Sequence, residues 1–388
     1  MTQWDELTGQ DEAVRVVEAA AASDSLAHSW LITGPPGSGR STLAYAFAAL
    51  LLSQGEEDGG AKARAMVQGR THPDLSVLAT DRVVITMDEV RRLVAASQYS
   101  PSVGLWRVVV IEDADRMAER TSNVLLKALE EPPPRTVWIL CAPSEADLLP
   151  TIRSRVRTLR LRVPAIEDVA RLLVERDRIE PALAERAARE AQSHIGMALR
   201  LAKDPAARER RARTVDLALR VRDAGDAART AAELLEIAKA DAEAYGAQQD
   251  EAEREALFRS LGVEPGGTIP PQLRSHVRQL EDDQKRRATR SLRDGVDRVL
   301  VDLLSVERDV LLTGLGVPDD LVNRSAEAAL VAAARATTPA ATLRALDAIG
   351  TARRRIEGNV PPLLALEAML MSFRSTSLPS TSFPSTNR

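Results

Sequence analysis

The run Gly34-Pro35-Pro36-Gly37-Ser38-Gly39-Arg40-Ser41, continued by Thr42, constrains this chain more than any other stretch. It follows the apolar run Trp30-Leu31-Ile32-Thr33, which reads as a short buried strand. It precedes a helical pattern from about residue 40 to 53. Glycines at this spacing between a strand and a helix let successive backbone N–H groups converge on a helix N-terminus, where they hold phosphate oxygens. An ordinary glycine-rich turn would account for some of these positions, but not for all eight together with both flanks. One residue departs from the pattern. Arg40 stands where such loops carry lysine, and a planar, bulky guanidinium fits the cradle between two phosphates poorly compared with a compact ammonium.

A second feature agrees with the first. Residues 108–111, all valine or isoleucine, form a continuous β-branched run expected to be buried on both faces, as in a parallel sheet. The run ends in Glu112 and Asp113. An apolar strand ending in two carboxylates is how a phosphate-loop ATPase holds magnesium and polarises its water, but the usual order is Asp then Glu. The reversed order displaces each carboxylate head by about one methylene, and misplacements near 1 Å cost on the order of 100-fold in rate. Taken alone, the pair also fits a solvated strand end.

The remaining pattern predicts helices over residues 12–23, 88–97 and 121–130. Short apolar stretches lie at residues 75–78 and 137–141, and residues 54–70 form a mobile Gly-, Asp- and Glu-rich loop. Strands alternating with helices predict an α/β domain with a parallel sheet. After Pro164 the character changes. Residues 165–202 read as three short helices, and residues 206–372 as an all-α domain interrupted at 262–271. The expected division is an α/β phosphate-loop domain at 1–164, a helical lid at 165–205, a helical domain at 206–372, and a disordered Ser/Thr/Pro tail at 373–388.

Composition narrows the function classes. The 388 residues are 44% apolar and 28% charged, with only 3% aromatic, so cores are built from Ala, Leu and Val. A net charge of −4 argues against a protein that wraps nucleic acid unaided. One cysteine, Cys141, and four scattered histidines make a zinc site improbable. The first residues lack the apolar segment of a signal peptide, and no run is long and apolar enough to span a bilayer, so no membrane is expected and the expected compartment is the cytoplasm.

Several stretches together carry a family resemblance. They are Leu7-Thr8-Gly9-Gln10, His28-Ser29-Trp30-Leu31, His72-Pro73-Asp74, the run Asn123-Val124-Leu125-Leu126-Lys127-Ala128-Leu129-Glu130-Glu131-Pro132-Pro133, Leu140-Cys141-Ala142-Pro143-Ser144, and Leu148-Leu149-Pro150-Thr151-Ile152-Arg153-Ser154-Arg155. Over roughly residues 7–160 the chain resembles bacterial clamp-loader subunits of the AAA+ class, and the delta-prime family of DNA polymerase III in particular. The resemblance implies an AAA+ module, a helical lid and a helical collar. It also implies partnership with gamma/tau and delta subunits in a ring that places the sliding clamp on primed DNA. Such a subunit is a non-motor member, so no ATPase of its own is expected. ATP and magnesium would act at the neighbouring subunit, while a non-hydrolysed nucleotide at residues 34–42 stays open.

Three departures agree with a non-motor role: Arg40, the Glu112-Asp113 order, and Gly196. The last stands where motor subunits place a lid arginine, in Ser193-His194-Ile195-Gly196-Met197-Ala198-Leu199. The four-cysteine zinc module of many family members is missing from residues 54–71, so no zinc is expected. By resemblance, Arg155 reaches into the neighbour's ATP site as an arginine finger, although by spacing alone it is one more surface arginine. The basic run at residues 284–293 is flanked by acids and reads as a salt-bridged helix face rather than a DNA contact. Leu292, Val296, Val299, Leu300, Leu303 and Leu304 form a packing stripe. The competing reading is an active AAA+ motor of gamma/tau type, and a stand-alone nucleic-acid-binding module is disfavoured by the net charge.

Overall fold

In the computed structural model the described residues are 4, 7–23, 25–55, 60–79, 84–221, 223–260, 274–317 and 320–373, with backbone alone described over 245–260 and 274–290. Contacts divide the chain into two units, Met1–Lys203 and Asp204–Arg388.

The first unit is built on five parallel strands, β1 (Ser29–Thr33), β2 (Leu75–Leu78), β3 (Arg107–Ile111), β4 (Thr136–Ala142) and β5 (Arg157–Arg160), in the order β2-β3-β4-β1-β5. Leu31 pairs with Leu140, and Val109 with Trp138, along the central ladder. Every residue of β1, β3 and β4 is buried, as their unbroken apolar runs require. Side chains alternate between two cores. Trp30, Ile32, Val108, Val110 and Ile139 face α1 (Asp11–Ala21) and α2 (Arg40–Leu52), where the Trp30 and Phe47 rings meet edge to face at 5.3 Å. Leu31, Val109, Trp138 and Leu140 face α4 (Met87–Ser97) and α5 (Glu119–Glu130) through Val90, Leu93, Leu125 and Leu129. Helix α4 opens on a capping box in which Thr86 Oγ1 accepts from the Glu89 N–H and Glu89 accepts from the Thr86 N–H.

One expectation is corrected, and one strand carries no expectation at all. Within the stretch read as a mobile loop, residues 61–68 form helix α3 (Ala61–Gln68), with Ala63 and Val67 buried at i,i+4 spacing. The flanking glycines and acids masked that short apolar stripe, and residues 56–59 lie outside the described residues. The Arg-rich stretch after residue 156 contains strand β5, an edge strand in which only Leu159 is buried. Its alternation is too short to read in sequence; it is a strand because Ile32 and Leu159 pair along β1 and because the Arg157 guanidinium covers the Trp30 ring at 4.7 Å. A four-residue helix α6 (Pro150–Arg153) links β4 to β5. The unit closes with three short helices as expected, α7 (Ile166–Asp177), α8 (Pro181–Glu190) and α9 (Ile195–Lys203).

The second unit holds α10 (Pro205–Arg220), α11 (Ala224–Ser260), α12 (Arg274–Gly314), α13 (Glu327–Ala336), α14 (Pro339–Glu357) and α15 (Pro362–Ser372). The expected stripe on α12 is its core face: Val296, Val299, Leu300 and Leu303 are buried, and Leu292 and Leu304 pack against them. Gly295 permits close approach to α11, since a methyl there would lie 2.6 Å from the Ala238 carbonyl oxygen. Of the basic run, Arg293 donates to Asn359, while downstream Asp297 pairs with Arg353 at 2.7 Å; the side chains of residues 284–290, residues 262–271 and residues 374–388 of the expected tail lie outside the described residues. A buried polar cluster pins the segment before α13. Asp309 accepts from the N–H groups of Val322 and Asn323, and Asn323 Oδ1 accepts from Arg211 at 2.8 Å.

Asp74 anchors the β2–β3 side of the sheet. Its enclosed carboxylate accepts from the N–H groups of Ser102, Val103 and Gly104 and from the Ser102 hydroxyl, and it pairs with Arg107 at 3.1 Å. Burial alone would raise its pKa, but the hydrogen bonds from Ser102, Val103 and Gly104 outweigh it and bring the value down to about 2. The folded value lies below the unfolded one of about 3.9, so this contribution is fully present above about pH 4 and disappears as pH falls toward 2. Asp74→Ala should lower unfolding free energy by about 3 kcal/mol at neutral pH and flatten the acid limb of the stability profile. Denaturant titration between pH 2 and 7 checks both.

Candidate functional site: a phosphate loop with an occupied carboxylate

Strand β1 delivers the chain at Gly34 and helix α2 takes it away at Arg40. Between them Gly37 (φ 81°) and Gly39 (φ 92°) adopt the left-handed conformation that side chains resist. Gly34 is held by space instead, because a methyl there would lie 2.5 Å from Ser38 Oγ and 2.9 Å from Leu161 Cβ. Gln10 fastens the loop from outside. Its amide donates to the Ser38 carbonyl at 3.3 Å and to the Arg162 carbonyl at 2.8 Å, and its Oε1 accepts from the Arg162 N–H at 3.2 Å. The Leu7-Thr8-Gly9-Gln10 motif therefore positions the cradle.

The strand order places β4 between β1 and β3, so the ends of β1 and β3 open onto the same edge of the sheet. Glu112 reaches the loop across that gap. Its Oε2 accepts from Ser41 Oγ at 2.9 Å, while Oε1 accepts from the Tyr45 hydroxyl at 2.5 Å and from Arg70 at 3.0 Å. Arg70 also lies over the Tyr45 ring at 5.1 Å. Burial, and then the Glu112 carboxylate, push the Tyr45 phenol far above its ordinary pKa, so it is a permanent donor. Asp113 turns aside in the left-handed region (φ 51°) and pairs with Arg116 at 3.4 Å. Behind it, burial and the Asp113 charge raise the pKa of Asp115, whose Oδ1 is buried with no hydrogen-bond partner.

Arg40 does not extend into the cradle. Its guanidinium folds back and donates to the Gly34 carbonyl of its own loop. Thr42 continues the first turn of α2, half-buried. From the start of α9, the His194 imidazole sits against the loop so closely that a methyl on Gly37 would lie 2.3 Å from its Cγ. His194 Nδ1 accepts from the Met197 N–H at 3.2 Å. Gly196 is exposed beside it. Arg155 lies just past α6, where it pairs with Glu130 and donates to the Thr151 carbonyl at 2.8 Å and to Ser154 Oγ at 3.0 Å.

The backbone fits a phosphate group, since the nest of N–H groups at the α2 N-terminus has the required shape. The side chains do not fit a divalent metal. Two cis oxygen ligands of magnesium stand about 2.9 Å apart for bonds of 2.0–2.1 Å, so the Ser41–Glu112 spacing is itself permissive. The obstacle is charge: Glu112 already holds a cation, Arg70. Among the described residues no group of three His, Cys, Asp or Glu side chains could hold a metal ion. Of the residues singled out from sequence, Ser41 and Glu112 meet and Arg40 bonds Gly34 instead; Arg70, Tyr45, Gln10 and the His194 contact were not read as part of the site. Tyr45 lies one turn after Ser41 and could have been found from that spacing; Arg70 and His194 are distant in the chain and carry no local signal.

The arrangement is that of a phosphate-loop α/β module followed by three short helices. Residues 9–165 match the family model described as DNA polymerase III, delta subunit. The chain is 40% identical to the delta-prime subunit of DNA polymerase III from Pseudomonas aeruginosa over 33% of this chain and 41% of that one. It is 34% identical to the delta-prime subunit of Escherichia coli strain K12 over 35% and 43%. It is also 27% identical to the tau subunit of Bacillus subtilis over 39% and 28%. Residues 9–165 are thus similar to the DNA polymerase III delta-prime subunits. The chain spans about two fifths of the length of the first two relatives.

Cys141, on β4 beneath the loop, is enclosed, and burial followed by the Glu112 charge pushes its thiol up to about 12. In the folded protein a thiol reagent at pH 8 should find no reactive sulfhydryl, and after unfolding it should find one per chain. Stoichiometric reaction before unfolding would show that the floor of the loop opens to solvent.

Proposed function

We propose that this chain is the non-motor delta-prime subunit of a DNA polymerase III clamp loader. It works with gamma/tau and delta subunits to place the sliding clamp on primed DNA in the cytoplasm, and Arg155 acts on the ATP site of the neighbouring motor subunit. The observation that carries the reading is Arg40. Beside the family match, the residue standing at the phosphate-loop lysine position points back at the Gly34 carbonyl instead of toward the place of a γ-phosphate. Stabilisation of transferring phosphoryl charge depends on such a cation. Two further features support the same reading: Asp113 pairs with Arg116, and Gly196 supplies no charge.

The Arg155 assignment rests on its motif and on its position in the turn after α6, where it is partly exposed and available to a partner. An arginine presented in this way neutralises charge on a γ-phosphoryl group and contributes 10³–10⁵ in rate in GTPases. The collar function of residues 206–372 and the lid at 165–205 belong to the same proposal. Among the described residues no helix is long and apolar enough to cross a membrane.

The similarity to a tau subunit keeps one rival, an active motor. Purified chain should release no phosphate from ATP above background, and Glu112→Ala should change nothing; turnover abolished by Glu112→Ala would establish the motor. In a reconstituted ring, Arg155→Ala should leave assembly intact and cut DNA-stimulated ATP hydrolysis by about tenfold or more. An unchanged rate would remove the finger role.

A further inference from the structure

We propose that Arg70 is the resident counter-ion of the phosphate-loop site. Its guanidinium pairs with Glu112 Oε1, beside the Ser41–Glu112 Oε2 pair that a divalent metal would use, and it makes the loop a metal-free anion cradle. The proposal rests on the reading of this loop as non-hydrolysing and names the residue that excludes the metal.

Three observations meet at Arg70. First, it pairs with Glu112 Oε1 at 3.0 Å, on a carboxylate whose side chain is 17% exposed and whose other donors are Ser41 and Tyr45. Oε1 thereby carries two donors and Oε2 one, so the carboxylate is close to saturated and its charge is balanced. A divalent ion entering here would meet a like charge and would have to displace a hydrogen-bonded guanidinium. Second, the Arg70 guanidinium, though its side chain is 52% exposed, also lies over the Tyr45 ring at 5.1 Å, so the cation contacts both an aromatic face and a carboxylate. Third, its backbone adopts φ 54°, the left-handed conformation, in the turn after α3, where its N–H donates to the Val67 carbonyl at 3.0 Å. Glycine takes that conformation without strain and is the favoured residue in such turns. An arginine kept there directs a long cationic side chain at the end of β3.

Both carboxylates at the end of β3, Glu112 and Asp113, then carry an arginine partner. Arg40 is spent on the Gly34 carbonyl, Arg116 on Asp113, and Arg70 on Glu112. The backbone N–H groups of the loop are unaffected by this pairing, so phosphate affinity and metal affinity are separated.

The test titrates Mn²⁺ alone into millimolar full-length chain and counts bound ion by electron paramagnetic resonance. Four proteins are compared: the unaltered chain, Arg70→Gln, Arg70→Gly, and the double variant Arg70→Gln with Glu112→Gln. Arg70→Gln removes the charge while keeping side-chain bulk; Arg70→Gly removes it without backbone strain, so a folding defect in one leaves the other. The unaltered chain should bind no Mn²⁺ at this site. Both single variants should gain one bound ion per chain that the unaltered chain lacks, as expected when a neighbouring like charge is removed. The double variant should lose it. A site already present in the unaltered chain, or no gain in either single variant, overturns the proposal. ATP turnover by the unaltered chain would instead overturn the non-motor reading and is measured separately.

Discussion

Strands β1, β4 and β3 lie side by side with every residue buried, so their polar chemistry can appear only where the strands end. That ladder sets the geometry of everything else in the first unit. It brings Gly34 and Glu112 to one edge of the sheet with the width of β4 between them, a gap that Ser41 and the Glu112 side chain close at 2.9 Å. Parallel strands need long crossovers, and here the crossovers are the helices that cover both faces. The phosphate loop, the acidic strand end and the layered core are thus consequences of one packing arrangement.

The backbone and the side chains of the site tell different stories, for a physical reason. The loop's shape is maintained by packing: Gly34 fits against Ser38 and Leu161, and Gln10 ties the loop to the residue after β5. Disturbing that shape disturbs the sheet. The charged groups at its rim are under no such constraint, because each can be satisfied by a neighbour. Arg40 bonds its own loop, Asp113 bonds Arg116, and Glu112 takes Ser41, Tyr45 and Arg70. The loop can therefore keep its form while the charged groups at its rim are drawn into local pairs.

The second unit answers to simpler rules. Ala and Leu stripes form its core, and a buried cluster around Asp309, Asn323 and Arg211 fixes how the chain enters α13. A buried carboxylate requires several donors, and Asp309 receives them from two backbone N–H groups and the Asn323 amide. The family match ends at residue 165, before this unit begins.

Local patterns were sufficient for the strands of residues 30–33, 108–111 and 137–141, for the phosphate loop, and for the α12 stripe. Each is a run or period that burial imposes on neighbouring residues. Helix α3 and strand β5 escaped notice because each is short and sits in a stretch of opposite character. The sequence by itself determined the fold class, the glycine-rich loop and the residues, Arg40, Glu112 and Asp113, that depart from the usual phosphate-loop pattern. Only the tertiary structure decided where the charges went. Arg70 meets Glu112 across 42 positions of chain and His194 meets Gly37 across more than 150, and no local periodicity encodes contacts that arise from the closing of separate elements over one sheet edge.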